Sequence, residues 1–112
     1  MPVFVHPVDR FLMSNPEKLE LLPNTPNPFR EYTDIRYSLP EGAQVSLKIY
    51  NLLGKEMAVL VNGYQDAQNY SVRWYGETQS GMPAPSGVYL CRLVAVIDSE
   101  PIVIMQKMML VR

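Results

Sequence analysis

The run LPNTPNPFREYTDIRYSLP, Leu22 to Pro40, sets four prolines and two asparagines around one phenylalanine and one regular alternating segment. Three of the prolines fall within the six residues Pro23 to Pro28. Proline has no N–H to give to a ladder, so such a cluster marks a place where strand pairing begins or changes sheets. It also pushes each preceding residue toward extended geometry, which suits a chain crossing the end of a sandwich. A polyproline ligand would need a longer exposed run. Phe29, the large apolar group of the cluster, is expected to plug the end of a core. The next segment, Thr33 to Leu39, is strict: Ile35, Tyr37 and Leu39 alternate with Asp34, Arg36 and Ser38. That is the period of a half-buried strand. The cluster therefore reads as the doorway into a β-sheet.

The same alternation recurs downstream. Val45, Leu47 and Ile49 alternate with Gln44, Ser46 and Lys48, and Asn51 and Gly54 supply the next turn. Met57, Val59 and Val61 fall on one face of the following run, with Ala58 and Leu60 on the other. Tyr70, Val72 and Trp74 repeat the pattern. The loop GETQSGMPAPSG separates them from VYLCRLVAVI, and DSEP joins that run to IVIMQKMMLVR. About seven short strands with turns between them predict an all-β, antiparallel, immunoglobulin-like sandwich without helix beyond a turn or two.

Composition agrees with a folded domain. The chain has 112 residues, enough for one core and not for two, with 47% hydrophobic and 19% charged residues. Its net charge of −1, with no basic run, lacks the footprint of a nucleic-acid or anionic-membrane binder. No apolar stretch has the length of a transmembrane helix. The start, MPVFVHPVDRFLM, lacks the basic opening and unbroken apolar middle of a signal peptide. That leaves a leader outside this sequence, or a start inside a longer protein.

Catalytic chemistry has little to work with. His6 is the single histidine, so no His pair and no His–Cys–Asp set can be assembled. Cys91 alternates with Tyr89 and Leu93 and is expected to be buried and inert; as a single cysteine it excludes an internal disulfide. The acids are scattered, as Glu17 and Glu20, Glu31 and Asp34, Asp98 and Glu100, without calcium-loop spacing. No glycine-rich phosphate loop is present. The expectation is a non-enzyme with no cofactor and no metal.

The pieces LLPNTPNPF, TDIRYSLP, VSLKIYNLLGKEMAVLV, YSVRWYGETQSGMPAPSGVYLCRL and QKMMLVR follow one another in order. In that order the chain resembles the immunoglobulin-like C-terminal domains that end many secreted proteins of the Bacteroidetes and related phyla. These serve as type IX secretion sorting domains and are similar to the Ig-like domain of the flagellar hook-capping protein. The resemblance covers residues 19 to 112, nearly the whole chain, and leaves residues 1 to 18 as an N-terminal extension or extra strand. Asn27, Pro28 and Phe29 match the family's opening motif, and Gly54 its turn after the third strand segment. Trp74 and Gly76 match its W-D-G turn, and Gly81 the glycine that follows. Pro85, Ser86, Gly87, Val88 and Tyr89 match its P-S-G-V-Y strand start, while Lys107 and Arg112 match basic residues of its last strand. Tyr75 departs from the pattern where the family has Asp, which removes the usual side-chain cap of that turn. Gln68 stands where glycine is common.

The resemblance implies a non-catalytic sorting and attachment domain, secreted or at the cell surface, read by an outer-membrane export machine through Pro85–Tyr89, Lys107 and Arg112. A second reading is a small structural subunit that pairs strands with neighbouring copies in an extracellular filament or surface assembly. A hook-cap-like scaffold is a third. Neither nucleic acid nor membrane insertion is expected. One physical anomaly bears on the choice: VYLCRLVAVI is apolar on both faces, and eight of the eleven residues from Ile102 to Arg112 are Ile, Val, Met or Leu. Such a surplus is expected to form an exposed apolar stripe. The segment Val3 to Met13 would cover it, either in its own molecule or on a neighbour.

Overall fold

The computed structural model describes residues 10–112, where one helical turn, α1 (Arg10–Met13), precedes seven strands. These are β1 (Glu20–Leu21), β2 (Thr33–Leu39), β3 (Ala43–Asn51), β4 (Glu56–Gln65), β5 (Gln68–Trp74), β6 (Gly87–Ile97) and β7 (Glu100–Leu110). All pairings between them are antiparallel. They form a three-stranded sheet, β1-β2-β5, packed on a four-stranded sheet, β4-β3-β6-β7. This is the expected Ig-like sandwich.

The strict alternation of β2 is what closes it. Ile35, Tyr37 and Leu39 are buried toward the second sheet, where Val45, Leu47 and Ile49 of β3 and Cys91, Leu93 and Ala95 of β6 meet them. Trp74 and Phe29 close one end. Each of these large side chains removes about 1.5–3 kcal/mol of apolar exposure from water.

β4 departs from the expected faces. Leu47 stands opposite Val61, but Lys48 opposite Val59, and Ile49 opposite Ala58. A bulge after Leu47 and another after Ile49 each leave one β4 residue unopposed, which turns the next side chain to the other face. Ala58 is therefore the buried residue, with Val61 packed against the core, whereas simple alternation had grouped Val61 with Met57 and Val59. Bulges on this edge strand also spoil it as a template for foreign strands.

β6 and β7 form a long hairpin through Asp98 and Ser99, both at positive φ (52° and 66°), as in a primed two-residue turn. The apolar surplus is where the sequence put it: Val96, Ile102, Val103, Met105 and Met109 are exposed. The cover is not. The described part of the N-terminal segment lies on the opposite sheet, where Asn69 Nδ2 of β5 donates to the Phe11 and Ser14 carbonyls. The Arg36 guanidinium sits 5.9 Å from the Phe11 ring centroid on that same face. Val3 to Asp9, including His6, lie outside the described residues.

Candidate functional site

The proline cluster lies beside the last strand rather than in a sheet of its own. Phe29 N–H donates to the Met109 carbonyl at 2.9 Å, and Val111 N–H to the Phe29 carbonyl at 2.8 Å. Asn27 Oδ1 accepts from Met109 N–H at 3.0 Å. The Asn27–Phe29 motif therefore acts as a one-residue parallel strand on the open side of β7, bridging Phe29 to Leu110. Behind it, Asn24 Nδ2 donates to Thr33 Oγ1 and Thr33 Oγ1 to the Pro26 carbonyl, both at 2.8 Å. Asn24 and Thr33 are buried, and the sequence reading passed over both. The available signal was an asparagine in a turn-forming run, a residue suited to bonding nearby backbone.

Phe29 carries the cluster into the core. Its ring lies 5.6 Å from Trp74, and Trp74 meets Tyr89 edge-on at 5.3 Å. Trp74 Nε1 donates to the Glu77 carbonyl at 2.9 Å, so the buried indole has its partner. Tyr89 donates its hydroxyl to the Pro85 carbonyl, which fastens the loop to β6. Three motifs distant in sequence thus share one aromatic stack.

Arg112 locks the same end from outside. Its Nε donates to the Ala84 carbonyl at 2.7 Å, its Nη2 to the Gly76 carbonyl, and its backbone N–H to Ser86 Oγ at 2.8 Å. A planar guanidinium suits this task because it can serve two carbonyls at once. Gly76 is required here: its φ is 67°, and an added Cβ would stand 2.9 Å from Arg112 Nη2 and 3.2 Å from Leu110 Cδ2. Here the Gly76 carbonyl accepts from Arg112 and from Ala84 N–H (2.8 Å), while Tyr75, in the place of Asp, is exposed and tilts against Tyr32.

The remaining motif residues stand apart. Gly54 and Gly81 each sit at φ 85° in turns outside the stack. Gly87, at φ 157°, holds a backbone conformation that a residue with a side chain rarely adopts, although a Cβ there would meet nothing within 4 Å. Lys107 and Val88 share a shallow apolar hollow with Asn27, Pro28, Met108 and Met109 on the outer surface. Of the residues assigned to sorting, then, Pro85, Ser86, Tyr89 and Arg112 build the locked end. Lys107 and Val88 border its open surface.

Chemistry is muted throughout. Burial pushes the Cys91 thiol up to about 12, so at neutral pH it is a protonated, apolar core group. Burial likewise pushes Tyr37, whose hydroxyl donates to Gln65, up to about 12. Asp34 is engaged by Arg73 at 2.8 Å, and Arg73 also lies 3.8 Å from the Tyr32 ring centroid. Among the described residues no three His, Cys, Asp or Glu side chains gather as a metal site, and no helix is long and apolar enough to cross a membrane.

With this geometry in place, comparison with known proteins is informative. The sequence model of the FlgD Ig-like domain matches residues 30–99. No curated protein matches the chain. Among solved structures, dimeric latent PorU from Porphyromonas gingivalis superposes with a TM-score of 0.68 and 20% identity over 83% of this chain. FlgD from P. aeruginosa gives 0.57 and 24% over 70%. PorZ of P. gingivalis, described as an essential bacterial surface component of the type-IX secretion system, gives 0.52 and 19% over 84%. The chain spans only 9%, 60% and 11% of those three chains, and identities this low establish a shared fold. The matched region stops short of both Asn27–Phe29 and β7, the two pieces that the structure pairs.

Proposed function

This chain belongs to the FlgD Ig-like domain family, and from that premise we propose that it is a non-catalytic domain for sorting a secreted bacterial protein and attaching it at the cell surface. Its partner in this reading is the outer-membrane export machinery, which recognises the folded sandwich by its shape. The observation that carries the reading is the lock at the motif end. Arg112, at the end of the chain described, ties β7 to the Gly76 turn, to Ala84 and to Ser86. A receptor that reads a folded signal needs its contact surface held in one geometry, because ordering a loose segment on binding weakens the complex. The likeness in fold to PorU and PorZ, whose reported structures concern type-IX secretion in the second case, supports the same direction.

Fusing a passenger ahead of residue 19 and expressing it in a type IX-competent host tests the reading. Export of the passenger is expected, together with marked loss in Lys107→Ala, whose side chain lies on the surface beside the hollow. Failure of the wild-type fusion to be exported, or undiminished export of the Lys107→Ala fusion, would reject it. The second reading, a structural subunit that pairs with neighbouring copies, is favoured by a separate observation: β7 carries exposed apolar side chains along an open edge.

A further inference from the structure

The open edge of β7 has definite limits. Met109 C=O and Val111 N–H point away from β6, since both bond to Phe29. By alternation along the strand, Val103, Met105 and Lys107 also turn their N–H and C=O groups to the open side. Among the described residues, nothing pairs with them there. Pro101 falls on the same side, where its missing N–H removes no bond to β6. Asn27 and Phe29 close the other end at Met109. What remains open is the run Pro101 to Lys107.

We propose that this run pairs antiparallel with the same run of a second copy, with Ile104 on the two-fold axis. A strand exposed on both faces needs a partner that is apolar on both faces, and β7 is such a strand: Ile102, Val103 and Met105 are 40%, 46% and 52% exposed. A two-fold across a sheet edge keeps each residue on its own face, so odd-numbered residues must meet odd-numbered ones. With Ile104 on the axis, Val103 faces Met105 of the other copy, Ile102 faces Gln106, and Pro101 faces Lys107. This register takes up the whole open run and stops short of the Asn27–Phe29 block. Centring on Met105 would drive Pro101 into that block. Reversal of direction also brings the Glu100 end of one strand to the Lys107 end of the other, so opposite charges meet at each end. Two four-stranded sheets become one of eight.

Seven-residue edges bury less than a standard interface, so the dimer is expected to be weak, with Kd roughly micromolar to millimolar. Sedimentation of the full chain over a concentration series, up to about 1 mM, should show a monomer–dimer equilibrium. Val103→Glu and Met105→Lys, both at exposed positions, should each weaken it roughly tenfold or more by placing charge in the pairing. The double variant Val103→Glu/Met105→Lys should restore it, because only the proposed register sets each Glu opposite a Lys. Circular dichroism and thermal melting of every variant check that the fold is kept. A wild-type chain that stays monomeric, a species larger than a dimer, or a double variant no better than the singles would each overturn the proposal.

Discussion

The two halves of β7 are equally apolar and are treated in opposite ways. From Met108 to Arg112 the strand is gripped on three sides: by β6, by the Asn27–Phe29 segment on its edge, and by the aromatic stack and Arg112 contacts at its end. Met108 and Leu110 are buried. From Glu100 to Met105 the strand pairs with β6 alone among the described residues, and Ile102, Val103 and Met105 are exposed. The cause is the width of the opposing sheet. β1 contributes two residues beside β2, so the inner face of β7 is roofed over a short length, by β1, the proline cluster and Trp74. Hydrophobicity alone does not decide burial; a facing element has to exist.

Truncation separates the halves most strongly. Trp74→Ala removes the group that Phe29 and Tyr89 pack upon and is expected to cost about 3–5 kcal/mol in urea unfolding. Met105→Ala, in the open half, is expected to cost under about 0.5 kcal/mol. Similar losses at the two positions would mean the halves are equally packed, and the contrast would be gone.

The Arg112 lock comes next. Arg112→Ala leaves the Gly76 carbonyl with Ala84 N–H as partner but deprives Ala84 of its charged donor, at a cost of about 1–2 kcal/mol for these partly solvated bonds. Gly76→Ala is expected to fall in the same range, about 1–2 kcal/mol, through its φ of 67° and the crowding against Arg112 and Leu110. Because both act on one contact, the double variant should lose less than the sum of the two. Full additivity would indicate that Arg112 does not reach the turn in solution.

How much of this contrast the sequence could reveal depends on the range of the interaction. Thr33 to Leu39 declared its buried face by alternation, and Tyr89 and Cys91 took the positions their strand pattern implied. The exposed stripe on the last hairpin was legible too, as a surplus of apolar residues that one face could not hold. The docking of the described turn Arg10–Met13 on the three-stranded sheet was not legible, because it involves the Asn69 amide and the Arg36 guanidinium, neither of which has a periodic signature. The β4 faces were misread because a bulge is a pairing mismatch between two strands and leaves no mark in either alone. Arg112 was legible as a motif residue, but its acceptors are backbone carbonyls, which sequence cannot distinguish from any others.

Alkali tests the closed part of the sandwich. Tyr37 and Cys91 are both raised to about 12 by burial, from ordinary values of 10.0 and 9.0. Above pH 9 the unfolded chain therefore loses protons that the folded chain keeps. Stability should be level near neutrality, then fall as pH rises from 9 toward 12. Cys91→Ala should flatten the first part of that fall, whatever its effect at pH 7. An unchanged slope would place the thiol in water.

The smallest effect concerns the open half and its turn. Asp98 and Ser99 both hold positive φ, and Ser99, at 66°, has no glycine-like freedom to do so. Left-handed backbone costs an ordinary residue about 1–2 kcal/mol, part of which a glycine gives back through the entropy of its unfolded state. Ser99→Gly should therefore stabilise the fold by about 0.5–1 kcal/mol. Since the turn and β6 are the described supports of Glu100 to Met105, the gain should also be local. Amide exchange at Ile102 and Ile104, whose N–H groups face β6, should slow more than at Met108 and Leu110, where the lock already limits opening. If exchange slows equally along the whole strand, β7 opens as one unit, and its two halves differ in exposure but not in stability.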